Sequence, residues 1–219
     1  MAYSTLDSLR INVLNDELGI TSDGDNTFGT TAQRNGWIQK AIAKLWPTMA
    51  RLTRESVTTI SSTMDYTLTT LYDIERIEVI DPATGSLVAD RVKSWQLYID
   101  ETADPPTLRL LIPAQMTAGL TLRCIGYAPY LIPAAGGSSC NIPPRLEWVV
   151  GAGARVEAYR WKLGQFANFE RFMNENRQNS LTAADMIELL RQARSDFERG
   201  MTTNARGLAG SHRARLQTS

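Results

Sequence analysis

The sequence predicts an α+β protein: a four-helix bundle-like core with an antiparallel β module inserted between the second and third helices. Three observations lead to this prediction. Apolar residues recur at helical spacing before residue 47 and again after residue 144. Between these regions the apolar period falls to two, which is typical of half-buried antiparallel strands. The 219 residues are enough to bury a sizeable core without disulfides or metals.

Two helices are predicted in the N-terminal region, residues 1–53. The first begins at a capping box formed by Ser4–Asp7, carries a leucine stripe, and ends at Gly19. The second begins near Thr30. It ends before Pro47, because proline removes a backbone donor and disfavours helix at the residue that precedes it.

The β module is predicted over residues 54–128. Cys124 alternates into an apolar strand face, so we expect a core thiol there. A strong turn, Asp81–Gly85, separates two of the strands. The predicted strands are Ser56–Ser61, Asp65–Leu71, Ile74–Ile80, Ser86–Val92, Ser94–Asp100, Thr107–Ile112 and Leu120–Tyr127.

A Pro- and Gly-rich linker or long loop is predicted over residues 129–144, followed by the C-terminal helices of the bundle at 145–200. The third helix runs to about Leu163. The fourth begins at a capping box, Thr182–Asp185, and stops at Gly200.

Small and aromatic residues in these helices mark candidate packing sites. Gly151 and Gly153 lie inside the third helix, where they permit a tight helix contact within or between subunits. Trp161, Phe169 and Phe172 are spaced as core or interface anchors, although aromatic residues mixed with basic ones also stack on bases.

Charge is balanced overall but uneven along the chain. Lys+Arg and Asp+Glu are both 23, which disfavours a globally basic nucleic-acid binder. Residues 1–144 carry 11 basic and 15 acidic side chains, whereas residues 145–219 carry 12 and 8. The single histidine, His212, leaves little for histidine catalysis or metal binding. No apolar run approaches the length of a membrane span, so we expect none.

The last segment, residues 201–219, is predicted to be a basic flexible tail. It contains Arg206, Arg213 and Arg215 and no acidic residue. The tail is either a solvated terminus or an arm that orders when it meets a partner.

No catalytic, metal or cofactor site is expected, and the chain is not predicted to be an enzyme. Asp23–Thr27 resembles a calcium loop but lacks the required glycine and carboxylate spacing. Asp100, Glu101 and Asp104 form an acidic cluster that we interpret as an exposed turn, with a divalent-ion site as the alternative. A nucleophilic Cys140 would need a base to activate its thiol, and the single histidine lies in the predicted flexible tail.

The layout of these elements resembles the head–tail connector adaptor, or head-completion, proteins of tailed bacteriophages. The resemblance covers roughly residues 5–200 and is carried by the order of elements, with no single diagnostic residue set. The segments that carry it are Leu6–Leu18, Trp37–Ala41, the Leu45–Pro47 break, the β stretch around Tyr66, Ile74–Val79, Val149–Leu163 and Ala183–Arg199.

The resemblance implies a structural virion protein at the head–tail joint, assembled in the host cytoplasm. Such adaptors form a ring, commonly dodecameric, beneath the portal protein, and DNA crosses the channel that the ring lines. Implied partners are the portal, neighbouring subunits and stopper or tail proteins, with DNA passing without sequence-specific binding. Arg206, Arg213 and Arg215 would then contact a neighbouring ring or subunit.

Three other interpretations stay open. A stopper or tail-terminator ring is the first, although such proteins are usually shorter and richer in strand. The second is a hydrolase or nuclease that uses the acidic cluster at Asp100, Glu101 and Asp104. The third is a nucleic-acid-binding module that uses the basic C-terminal region, in which case binding weakens steeply with salt.

Overall fold

The computed structural model divides the chain into two compact units. Among the described residues, the helical unit comprises residues up to 49 together with residues 130–205, and the β unit comprises residues 50–129. The described residues are 4–22, 25–61, 63–89, 92–102, 107–113, 116–169 and 182–205, with side chains described in the third helix up to residue 165.

The first helical region is less regular than predicted. Helix α1 spans only Leu6–Leu9 and continues as a π-helical stretch, Arg10–Asn15. The predicted Ser4–Asp7 capping box is wrong: Thr5 is the N-cap, and Ser8 completes the box. Ser4 does not cap the helix, because its hydroxyl donates a hydrogen bond of 2.5 Å to a carboxylate oxygen of Glu147.

Helix α2 spans Thr31–Leu45 and agrees with the sequence prediction. Thr30 caps it, accepting a hydrogen bond from the backbone of Gln33. Trp46 is already extended before Pro47, as expected for a residue that precedes proline.

Helix α3 spans Glu147–Phe169 and helix α4 spans Ala183–Thr203. A short 3₁₀ turn, Pro144–Leu146, leads into α3. The predicted capping box at Thr182 and Asp185 is confirmed. The predicted stop at Gly200 is wrong, since α4 continues to Thr203.

Gly200 has a packing role in place of a terminating one. A Cβ at this position would lie 2.9 Å from both the Trp148 ring and a Val149 methyl group. The glycine therefore lets α4 approach α3 closely, and its φ stays helical.

The helical unit is built around one buried core to which α1, α2, α3 and α4 all contribute. The segment that precedes α3 also belongs to it, because Cys140 and Ile142 are fully buried. Backbone hydrogen bonds from Ser4 to Ile142 and from Cys140 to Ser4 fix this segment to the N-terminus.

The predicted four-helix bundle is wrong. The described residues form four α-helices and seven strands in two antiparallel sheets, and the helices are not arranged as a four-helix bundle. The reason lies in the first helical region, which is α-helical over Leu6–Leu9 and then becomes the π-helical stretch Arg10–Asn15, so it lacks the regular α-helical face that a bundle requires. The strands are accordingly not a module inserted between the second and third helices of a bundle, and they form two antiparallel sheets.

Each of the seven strands of the β unit overlaps a strand predicted from the sequence. One sheet has the order β1-β7-β3-β4 and the other has the order β2-β6-β5, with antiparallel pairing throughout. The strands are β1 Arg51–Thr58, β2 Asp65–Leu68, β3 Asp73–Ile80, β4 Leu87–Ala89, β5 Gln96–Asp100, β6 Thr107–Leu111 and β7 Thr121–Ala128.

The two sheets share one hydrophobic core. Tyr66 and Leu110 come from one sheet, and Ile77 and Leu122 come from the other. Cys124 is also fully buried there, so its predicted core position is confirmed. Burial raises the pKa of the Cys124 thiol to about 12.

A β-bulge at Glu75 sets which residues of β3 face this core. The pairing register shifts between Ile74 and Arg76, so Ile74 and Ile77 are both buried although they are three residues apart. The neighbouring strand has Gly126 at this point. A Cβ on Gly126 would lie 1.9 Å from the Asp73 carbonyl oxygen, and the bulge therefore requires glycine.

Candidate interaction surfaces

Alternation along three neighbouring strands gathers arginines on the outer side of the larger sheet. In β7, Leu122 and Cys124 point into the core, so Arg123 and Ile125 point away from it. The bulge gives β3 the same phase at its outward positions. We call this surface the arginine face; it consists of Leu52, Arg54, Arg76, Glu78, Arg123 and Ile125.

The strand register fixes the arrangement of these side chains. Ile125 lies opposite Arg54 on β1 and opposite Arg76 on β3, so two guanidinium groups flank one apolar side chain. In the adjacent outward row, Arg123 lies opposite Glu78. These residues and Thr53 line a shallow cavity of about 320 Å³.

Glu78 holds two of the three arginines in place. Its carboxylate lies 3.1 Å from Arg76 and 3.4 Å from Arg123, and the residue itself is only 9% exposed. Arg54 has no ion-pair partner among the described residues. The face therefore holds three guanidinium groups and one carboxylate, and it keeps a net positive charge suited to an anionic partner.

The other sheet carries the opposite charge pattern on its outer side. Arg109 of β6 lies 3.2 Å from Asp65 and 3.7 Å from Asp100. The Tyr98 hydroxyl donates to Asp65 at 2.5 Å, and this hydrogen bond raises the pKa of Tyr98. We call this surface the aspartate face; it consists of Asp65, Thr67, Tyr98, Asp100 and Arg109.

In the helical unit, three ion pairs among the described residues join separate elements. Arg155 of α3 contacts Glu17 at 2.5 Å and Asp196 of α4 at 3.6 Å. Lys44 of α2 lies 2.6 Å from Glu157 of α3. Burial raises the pKa of Glu17 even though the Arg155 charge acts to lower it, so this ion pair lies in a partly desolvated site.

The structure places the predicted packing residues inside the helical unit. A Cβ on Gly151 would lie 2.5 Å from a Val13 methyl group, and one on Gly153 would lie 2.8 Å from the Phe197 ring. The Trp161 ring is 5.8 Å from that of Trp37, tilted by 50°. These contacts join α3 to the π-helical stretch, to α4 and to α2.

Several other predicted residues lie outside the described part of the chain. Phe172 and the tail arginines are among them, and Phe169 ends α3 without a described side chain. The acidic cluster is described only in part, at Asp100 and Glu101. The predicted residues outside the described part are Arg206, Arg213, Arg215, Phe172, Asp104 and Asp23.

Within the described residues, no group of three or more His, Cys, Asp or Glu side chains lies close enough together to hold a metal ion. Cys140 is fully buried, its thiol donates to the Ser4 carbonyl at 3.0 Å, and burial raises its pKa. No helix in the described ranges is long and apolar enough to cross a bilayer.

Sequence reasoning missed both charged faces. The signal was present, because the alternation that placed Cys124 in the core also placed Arg123 outside it. What the sequence does not give is the pairing of β7 with both β1 and β3, which brings Arg54, Arg76 and Arg123 together. The aspartate face likewise depends on β6 lying between β2 and β5.

No protein-family model matches the sequence, and no curated protein matches it significantly.

Proposed function

We propose that this protein is a structural adaptor of a tailed-bacteriophage particle. In this role it forms a ring, commonly dodecameric in such particles, between the portal protein and the tail. The ring lines the channel that DNA crosses, without sequence-specific binding. The element order over residues 5–200 supports this proposal through its resemblance to connector adaptors.

The observation that carries the proposal is the arginine face. Arginines that surround an apolar residue are the composition expected of a protein–protein interface core. Glu78 restrains Arg76 and Arg123 before any partner arrives, so less side-chain entropy is lost on binding. A surface of this kind suits a protein whose work is to join other proteins.

Electron microscopy of a phage with an early stop codon in this gene tests the proposed function. We expect tailless heads, some of which have lost their DNA, beside complete free tails. Supplying the intact gene from a plasmid should restore joined particles, which controls for effects on neighbouring genes. Normal joined particles without this protein would overturn the proposal.

A nucleic-acid-binding accessory protein is the second candidate, because the three arginines of the arginine face would also attract phosphates. Against it, the β unit as a whole has 7 basic and 10 acidic side chains. Binding of a fluorescent DNA duplex, followed over a salt series, distinguishes the two. The adaptor proposal expects weak binding, whereas affinity with a steep salt dependence favours the alternative.

A further inference from the structure

We infer that the arginine face of one copy of this chain docks on the aspartate face of the next copy. This inference rests on the proposed ring and names the surfaces that join its subunits. A ring requires a heterologous contact, in which two different patches of the same chain meet. The β unit carries two such patches, with opposite charge, on the outer sides of its two sheets.

The two faces have reciprocal composition. On the arginine face, Arg76 and Arg123 share the Glu78 carboxylate. On the aspartate face, Asp65 and Asp100 share the Arg109 guanidinium. Each face therefore holds an excess of the charge that the other lacks.

Each face spreads its charges over three neighbouring strands. Arg54 and Arg76 lie on the two strands that flank β7, and both lie opposite Ile125. Asp65 and Asp100 lie on the two strands that flank β6, opposite Leu111 and Thr107, so they are offset along the sheet on either side of Arg109. Arg54, which has no ion-pair partner among the described residues, supplies a guanidinium for a carboxylate of the neighbouring copy.

Charge complementarity mainly sets orientation and association rate, so we expect a weak contact that depends on salt. Glu101 follows Asp100 directly along the chain, and it is exposed and makes no hydrogen bond or ion pair among the described residues. Arg54 and Glu101 are consequently the residues whose charges can be reversed with the least effect on folding.

Sedimentation analysis of the full chain tests this contact. At about 0.05 M salt the wild-type chain should self-associate as its concentration rises, and at about 0.5 M salt it should not. Arg54→Glu and Glu101→Lys should each weaken self-association at least about tenfold. Melting curves followed by circular dichroism check that each variant is folded.

Mixing the two variants gives the sharpest result. Each variant retains the face that the other has lost, so an equimolar mixture should form one-to-one dimers through a single wild-type junction. Two matched charge reversals at exposed residues of the helical unit, Arg145→Glu and Asp16→Lys, should associate like wild type.

Three results would overturn the inference. They are a wild-type chain that stays monomeric at low salt, variants that associate normally, and a mixture that stays monomeric. If Arg54→Glu weakens duplex DNA binding but leaves self-association unchanged, the arginine face binds nucleic acid instead. Each of these results leaves the stop-codon experiment free to decide the adaptor proposal separately.

Discussion

The two units of this protein use charged residues in different ways. In the helical unit, some ion pairs join separate elements, as Arg155 joins Glu17 to Asp196 and Lys44 joins Glu157, while others lie within one helical segment. In the β unit, the clusters around Glu78 and Arg109 lie on the outer side of single sheets. We infer that the ion pairs between elements stabilise the helical unit, and we propose that the exposed charge of the β unit serves a partner.

Strand pairing brings the charged residues of each face together. A substitution that disrupts the larger sheet should therefore have the largest effect on stability. In Gly126→Ala the new methyl group would meet the Asp73 carbonyl, which is backbone and has little room to move. We expect a loss of about 3 kcal/mol in the free energy of unfolding, measured by urea denaturation.

The control for that variant is Gly36→Ala in α2, where no atom lies within 4 Å of the new methyl group. It should be neutral or stabilise the protein by up to about 1 kcal/mol. Hydrogen exchange should locate the damage from Gly126→Ala in β1, β3 and β7. Unchanged exchange in these strands would contradict the role assigned to the bulge.

The second prediction compares the loss of stability from the same substitution in each of the two units. Arg155→Met removes the partner of Glu17 and Asp196 from a partly buried site and should cost about 2 kcal/mol of stability. Arg54→Met makes the same substitution on the arginine face and should change the free energy of unfolding by less than about 0.5 kcal/mol. Equal effects on thermal stability would remove the distinction between the units.

The third prediction concerns pH. Burial raises the pKa of Glu55, but its hydrogen bonds from Thr69, Thr70 and Leu71 outweigh burial, so the pKa lies below its ordinary value. The stabilisation from Glu55 is therefore complete above the pKa of a free glutamate, about 4.3, and is lost as pH falls through the lowered folded-state value.

Glu55→Gln should cost about 1.5 kcal/mol at neutral pH, because three backbone donors lose a charged acceptor. It should also flatten the loss of stability in acid. Glu101→Gln is the control, since this exposed residue makes no hydrogen bond among those described. Melting temperatures measured from neutral pH down into the acid range report both the cost at neutral pH and the flattening in acid. Parallel curves for Glu55→Gln and wild type would contradict the role assigned to the Glu55 carboxylate.

The smallest effect is expected at Gly153. A methyl group there meets the Phe197 ring at 2.8 Å and the Ala41 methyl group at 2.9 Å, and a ring can shift where backbone cannot. The packing loss is partly offset by better helix propensity, which leaves a cost of about 1 kcal/mol in chemical denaturation. At Gly164, a new methyl group would meet no atom within 4 Å outside the helix's own backbone, so Gly164→Ala should stabilise the protein. A loss of stability in Gly164→Ala would contradict this explanation.

Local signals in the sequence predicted the elements of this fold well. The Thr182 and Asp185 capping box and the Pro47 break are decided by a few neighbouring residues, and the structure has both. The strands follow from alternation, as at Leu122 and Cys124. Each of these features depends on chemistry within a few positions along the chain.

Features that depend on distant residues were not predicted. Ser4 leaves the expected capping box for Glu147, a residue 143 positions away. The bulge at Glu75 needs Gly126 on another strand, and both charged faces need the pairing order of the sheets. Helical spacing also does not distinguish an α-helix from the π-helical stretch Arg10–Asn15, which is why a bundle was expected.

A cryo-electron microscopy map of the head–tail joint tests the central claim most directly. We predict a closed ring of this chain beneath the portal, with the arginine face of each subunit against the aspartate face of the next. A joint that lacks this chain would contradict the proposed function. A ring in which Arg54 and Asp65 face solvent would keep the function and contradict the docking of the two faces.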